Sequence, residues 1–105
     1  MTTKISRIID GLRYSTATAT EICTMQSDDD RSNFRYEETG LYQTPRGRFF
    51  LAGHGGPMTR WARPVQGGRA GGEGLMPISN LEARAFAEEH ADEETVARLF
   101  VIEEA

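Results

Sequence analysis

Cysteine is nearly absent from this chain. Cys23 is the only one among 105 residues, so no intrachain disulfide can form and a disulfide-built secreted scaffold is excluded. No apolar stretch comes near the roughly 20 residues that a membrane-spanning helix needs. The opening residues, MTTKISRIIDG, carry no apolar signal core, so the cytoplasm is the expected location and no membrane partner is expected. Histidine occurs only at 54 and 90. Together with one cysteine these give no ligand spacing, so no metal and no cofactor are expected. Lysine is almost missing too: Lys4 stands against eleven arginines. No GxSxG elbow, no Gly-Lys-Ser/Thr phosphate loop and no strand–GxGxxG–helix unit occurs, which removes the common hydrolase and nucleotide-binding signatures.

What is present is unevenly distributed. The net charge of −4 conceals a bipolar chain, because residues from Asn80 onward hold eight acids and two bases. Between Thr39 and Gly72 there are five arginines, Arg46, Arg48, Arg60, Arg63 and Arg69, and no acid. The two parts either neutralise each other in the fold or across a dimer, or they form faces for charged partners. Nine aromatics suffice to seed one core in a chain of this length, so residues 1–105 are read as a single domain.

The local patterns predict an α+β fold. It comprises an antiparallel sheet of about four to five strands, a long Gly/Arg-rich loop over 53–74, and a helical part over 79–100. Ile8 and Ile9 lead into Asp10-Gly11, a strong two-residue hairpin turn, and Leu12 and Tyr14 follow in alternation. The threonines of TATAT (16–20) suit a strand, with a helical turn as the alternative, and Ile22–Met25 reads as strand. Ser27–Asn33 is a polar loop without the Gly and closing Glu of a calcium loop. Phe34 and Tyr36 alternate onto one face, and Gly40 suggests a bulge or turn. Pro45-Arg46-Gly47 makes a tight connection, beyond which Tyr42 can pair with Phe49 or Phe50. The run Arg48–Ala52 is apolar on both faces and is expected at the centre of the sheet. Leu75–Ile78 reads as an edge strand, because Pro77 removes a ladder donor. Ser79-Asn80-Leu81-Glu82 is a capping box, and Ala83, Phe86, Ala87 and His90 follow as one helical stripe. Asp92 is the expected N-cap of a second helix carrying Val96, Leu99 and Phe100.

Eight of the eleven glycines lie between Gly53 and Gly74, and long loops of this kind are usually functional or mobile. His54, in Gly53-His54-Gly55-Gly56, superficially resembles an oxyanion loop. Cys23 with His54 as its base would make a small Cys/His enzyme. The apolar, strand-like surroundings of Cys23 speak against an activated thiol, so the glycines are expected to serve a tight turn and no residue is assigned as catalytic. Arg60-Trp61-Ala62-Arg63 is either an exposed contact site, since Trp and Arg dominate binding hot spots, or a tryptophan folded back on the sheet with arginines at its rim.

In succession, Ile8-Ile9-Asp10-Gly11, Tyr14-Ser15-Thr16, Leu41-Tyr42, Gly47–Leu51, Gly55–Met58, Gly71-Gly72-Glu73, Met76–Ser79 and Glu88-Glu89-His90 resemble a small protein family of bacterial phages and mobile elements. In size and charge the chain is similar to anti-CRISPR inhibitors. The resemblance implies a non-enzymatic protein that blocks a host CRISPR-Cas effector complex by covering a DNA-reading or nuclease-recruiting surface. It brings no catalytic residues. Under this expectation Asp28, Asp29, Asp30, Glu88, Glu89, Asp92, Glu93 and Glu94 form an acidic contact face. The basic–aromatic loop, Arg46, Arg48, Arg60, Trp61, Arg63 and Arg69, adds anchoring contacts. The alternative is a nucleic-acid-binding accessory protein that uses those same arginines. Either would act as a monomer or a homodimer.

Overall fold

In the computed structural model, which describes residues 4–27, 30 and 32–105, β1 (Ser6–Ile9) and β2 (Leu12–Ser15) pair antiparallel around Asp10-Gly11. Asp10 at φ 53° and Gly11 at φ 77° supply the two positive dihedrals that a type I′ turn requires. Four further strands, β3 (Thr20–Gln26), β4 (Glu37–Gln43), β5 (Phe49–Gly55) and β8 (Gly72–Ile78), form an antiparallel sheet in the order β3-β4-β5-β8. Between β5 and β8 lies a small separate hairpin of β6 (Arg63–Val65) and β7 (Gly68–Ala70). Two helices follow, α1 (Asn80–His90) and α2 (Glu93–Leu99). The fold is α+β, as the patterns predict.

The sheet carries a core on each face, which explains why the first four residues of β5, Phe49 to Ala52, are all apolar. Phe49 and Leu51 point to one side, where they join Leu41, Trp61, Ala83, Phe86, Ala87 and Val96. Phe50 and Ala52 point to the other side and meet Ile5, Tyr14 and Tyr42. The helices therefore cover one face and the β1–β2 hairpin covers the opposite one. Tyr42 pairs with Phe50 in register, and their rings stack at 5.2 Å. Tyr14 closes on Phe50 edge-on at 5.7 Å, which ties the hairpin to the sheet.

Both helix caps form as the sequence requires. The Ser79 hydroxyl accepts from the Glu82 N–H, and Glu82 accepts from the Ser79 N–H. The Asp92 carboxylate accepts from the Thr95 N–H at 2.8 Å, opening α2. Phe100, just past α2, stacks on Phe49 at 5.4 Å, and His90 lies half-buried against Phe86. Residues 101–105 are exposed and form no regular element.

Several local expectations are corrected. Thr16–Ala19 is a turn, not a strand; the amides of Ala17, Thr18 and Ala19 fold back onto Ser15 while that of Thr16 donates to the Ile5 carbonyl, and β3 begins only at Thr20. Gly40 makes no bulge. It sits in regular pairing, and the irregularity falls in β3 between Glu21 and Cys23. A Cβ at Gly40 would come 2.8 Å from Cε1 of Tyr42, so the glycine makes room for that ring. Phe34 does not share the buried side of Tyr36: it lies in the preceding turn, 65% exposed.

Candidate functional site

The Gly-rich stretch is ordered, and its glycines have a packing role. Gly53 pairs with Gly74 and Gly55 with Gly72 across β5 and β8. This places side-chain-free backbone side by side on the helical face of the sheet. The segment after β5 folds back over it. A Cβ at Gly74 would stand 2.9 Å from Cε3 of Trp61, and one at Gly55 would run into Thr59. The expected mobile loop is thus a lid on the sheet's own glycine floor. None of these four glycines has a positive φ, so close approach, not turn geometry, selects them.

Trp61 is the centre of that lid and is only 6% exposed. Its indole N–H donates to Thr39 Oγ1 at 2.8 Å, and the Thr39 hydroxyl donates to Glu37 Oε2 at 2.6 Å. Arg60 Nε closes the chain of contacts on the same carboxylate oxygen at 2.8 Å, with its guanidinium 5.9 Å from the Phe86 ring centre. Glu37 and Thr39 are the two buried polar residues of the sheet, and each is satisfied. Of the two readings of Trp61, the folded-back one holds. Trp61 is unavailable as a surface anchor because its ring fills the gap that the glycines leave, and Arg60 is tied up neutralising Glu37.

The remaining arginines do not form one patch. Arg46 and Arg48 flank the β4–β5 turn, where Thr44 and Gly47 hydrogen-bond across the connection. Arg63 and Arg69 lie on the β6–β7 hairpin, next to the far end of β5, with Arg63 Nε donating to the Gly71 carbonyl. The length of β5, about 20 Å at 3.3 Å per residue, separates the two pairs. That spacing weakens the case for one continuous basic surface.

The acids distribute differently. Glu88, Glu89, Asp92, Glu93 and Glu94 are all exposed and cluster at the α1–α2 junction. Among the described residues none of the five makes an ion pair with Arg or Lys; Glu89 approaches only His90, at 3.7 Å. Hydrogen bonds from Thr95, aided by the charge of Arg98, hold the Asp92 carboxyl below its ordinary range. Asp30 is exposed and similarly lowered by hydrogen bonds from the Ser32 amide and hydroxyl. Asp28 and Asp29 lie outside the described residues.

Cys23 and His54 occupy opposite faces of the sheet. Cys23 pairs with Leu41 and packs with the helical core, whereas His54 is in register with Glu38 on the hairpin side. Burial, and secondarily the charge of Glu21, push the Cys23 thiol up to about 11. A thiol two units above its usual value has about 100-fold less thiolate near neutral pH. The greater nucleophilicity of that thiolate offsets roughly 10-fold of the loss. Alkylation of Cys23 by iodoacetamide at pH 8 should therefore run at least about 10-fold slower in the folded protein than in urea. Equal rates would mean that the thiol is not shielded as placed.

The structure also assembles a group that the sequence reading missed. On the hairpin face, His54 Nε2 lies 3.2 Å from Glu38 Oε2, and the Tyr36 hydroxyl donates to that same oxygen at 3.4 Å. The Tyr42 hydroxyl donates to Glu21 Oε2 at 3.0 Å. Burial, the bond to Glu21, and the charges of Glu21 and Glu38 push the Tyr42 phenol up to about 12, so it stays a neutral donor. Glu21, Glu38, Tyr42 and His54 line a cleft of about 240 Å³ between hairpin and sheet, whose floor includes the registered pair Gly40 and Ala52. His54 therefore belongs to a strand and a cleft; it is not in the tight turn expected for it. The alternation EETGLY places Glu38 and Tyr42 on one face, but only the pairing of β3 and β5 with β4 brings Glu21 and His54 beside them.

No protein-family model, curated protein or solved structure matches this chain. No helix among the described residues is long and apolar enough to cross a membrane, and no group of potential metal ligands comes together among them.

Proposed function

We propose that this chain is a non-catalytic binding protein that engages a positively charged partner through its acidic helical end. The observation carrying this reading is the exposed set Glu88, Glu89, Asp92, Glu93 and Glu94 at one helix junction, with no Arg or Lys of the described residues paired to it. Two further features support it. The thiol and imidazole lie on opposite faces of the sheet, and the polar cluster around Trp61 is consumed by internal contacts.

The partner class follows from the resemblance to small mobile-element proteins similar to anti-CRISPR inhibitors. CRISPR effector complexes hold nucleic acid in a positively charged channel. A compact surface of exposed carboxylates without Arg or Lys ion pairs among the described residues competes for such a channel by charge complementarity.

The test uses purified effector complexes and calorimetric or interferometric binding at several salt concentrations. Glu88→Arg combined with Glu89→Arg should weaken binding about 10-fold or more at low ionic strength and flatten its salt dependence. Unchanged affinity in the double variant would remove the acidic face as the contact. Failure of the unaltered protein to bind any effector would remove the CRISPR assignment.

A further inference from the structure

We infer that the cleft between the β1–β2 hairpin and the sheet is a receptor for an arginine side chain presented by a partner protein. The inference rests on the reading of this chain as a binder of basic partners, and it assigns a specific subsite to that binding.

The cleft exists because of how three rows of side chains fall on this face of the sheet. The middle row, Thr24 on β3, Gly40 on β4 and Ala52 on β5, carries only small side chains, with the Tyr42 ring leaning over Gly40. The row above holds Glu21 and Tyr42, and the row below holds Glu38 and His54. A trough of small residues thus runs between two carboxylates, with Ile5 of the hairpin as an apolar wall. Its volume of about 240 Å³ accommodates a long side chain rather than a nucleotide.

Each carboxylate is already oriented through one oxygen. Tyr42 holds Oε2 of Glu21, while His54 and Tyr36 hold Oε2 of Glu38. In each case Oε1 has no protein hydrogen-bond partner among the described residues and remains an acceptor. Among the described residues no Arg or Lys lines the cleft. Burial is the main cause of the upward shift of the Tyr42 phenol, and the hydrogen bond to Glu21 and the charges of Glu21 and Glu38 add to it.

An elongated cation with several N–H donors matches these features. Guanidinium offers a planar fork of donors for carboxylate oxygens, and its aliphatic stem suits the apolar surface of Ala52 and the Ile5 wall. Ammonium offers a compact point charge that meets one carboxylate at a time. The arrangement therefore favours arginine over lysine.

The experiment is an NMR titration of the intact labelled chain with N-acetyl-arginine amide, N-acetyl-lysine amide, spermidine and the neutral isostere N-acetyl-citrulline amide. Arginine amide should shift the amides of Gly40 and Ala52 and the His54 ring saturably, about 5-fold more tightly than lysine amide, with citrulline silent. Glu21→Gln and Glu38→Gln should each weaken this binding about 5-fold or more while leaving the rest of the spectrum, and hence the fold, unchanged. Absence of shifts in the cleft, or Gln variants that titrate like the unaltered chain, would overturn the assignment. Spermidine binding more tightly than arginine amide would overturn it in favour of a free polyamine. Glu88→Arg with Glu89→Arg leaves the cleft intact. If arginine amide still binds that variant and the variant binds effector complexes as tightly as the unaltered chain does, the helical reading fails and the cleft stands.

Discussion

Replacing Trp61 with alanine should cost about 3–5 kcal/mol of stability. A domain of this size has only about 5–15 kcal/mol in total, so the melting temperature should fall by roughly 15–30 °C. Three losses coincide at this position. The indole leaves a void above Gly74, the Thr39 hydroxyl loses its donor, and the lid segment loses its anchor on the sheet. Trp61→Phe separates these terms. It keeps most of the apolar contact and removes the N–H, so it should cost about 1–2 kcal/mol.

A second substitution tests the glycine floor directly. Gly74→Ala should destabilise the unaltered protein because its methyl would stand 2.9 Å from the indole. In the Trp61→Ala background the obstruction is gone, and the same change should be close to neutral. A double-mutant cycle by thermal denaturation reads this coupling. Additive effects, or a fall of under about 5 °C for Trp61→Ala, would show that the ring does not fill the floor as described.

The second large effect is expected on the other face. Phe50 is fully buried, stacked on Tyr42 and met edge-on by Tyr14. Phe50→Ala should cost about 3–5 kcal/mol by thermal or urea denaturation. The loss should not be uniform. A two-stranded hairpin is marginal on its own, and β1–β2 is held to the sheet through the cluster of Ile5, Tyr14, Tyr42, Phe50 and Ala52. Hydrogen exchange should therefore show amides of 6–15 losing protection well before those of β4 and β5. Equal loss across the sheet and hairpin would contradict this division into two cores. The variant should also lose the arginine-binding response, because Ile5 forms the outer wall of the cleft.

The two halves of the acidic–basic asymmetry have different structural fates. Arg60 is drawn into the protein by Glu37, the first residue of β4, which the charge count places outside the acid-free segment. The carboxylates of the helices meet no such partner among the described residues and stay exposed. Composition alone treats these charges alike; neutralisation depends on which of them the fold brings within about 4 Å of each other.

Features set by contacts within a few residues were legible from the amino-acid order. The Asp10-Gly11 turn, the Ser79–Glu82 capping box and the Asp92 cap all formed as written, because each depends on dihedral preference or hydrogen bonds spanning three or four positions. The doubly apolar β5 was legible for a related reason: a strand buried on both sides shows no alternation. The glycine floor, the burial of Trp61 and the cleft around His54 were not legible. They depend on strand register, which pairs Gly53 with Gly74, Glu38 with His54 and Glu21 with Tyr42 across long sequence separations. Register is decided by which side chains fill both faces of the sheet at once. Only the tertiary structure could turn a glycine-rich, apparently open loop into a lid and an isolated histidine into part of a cleft.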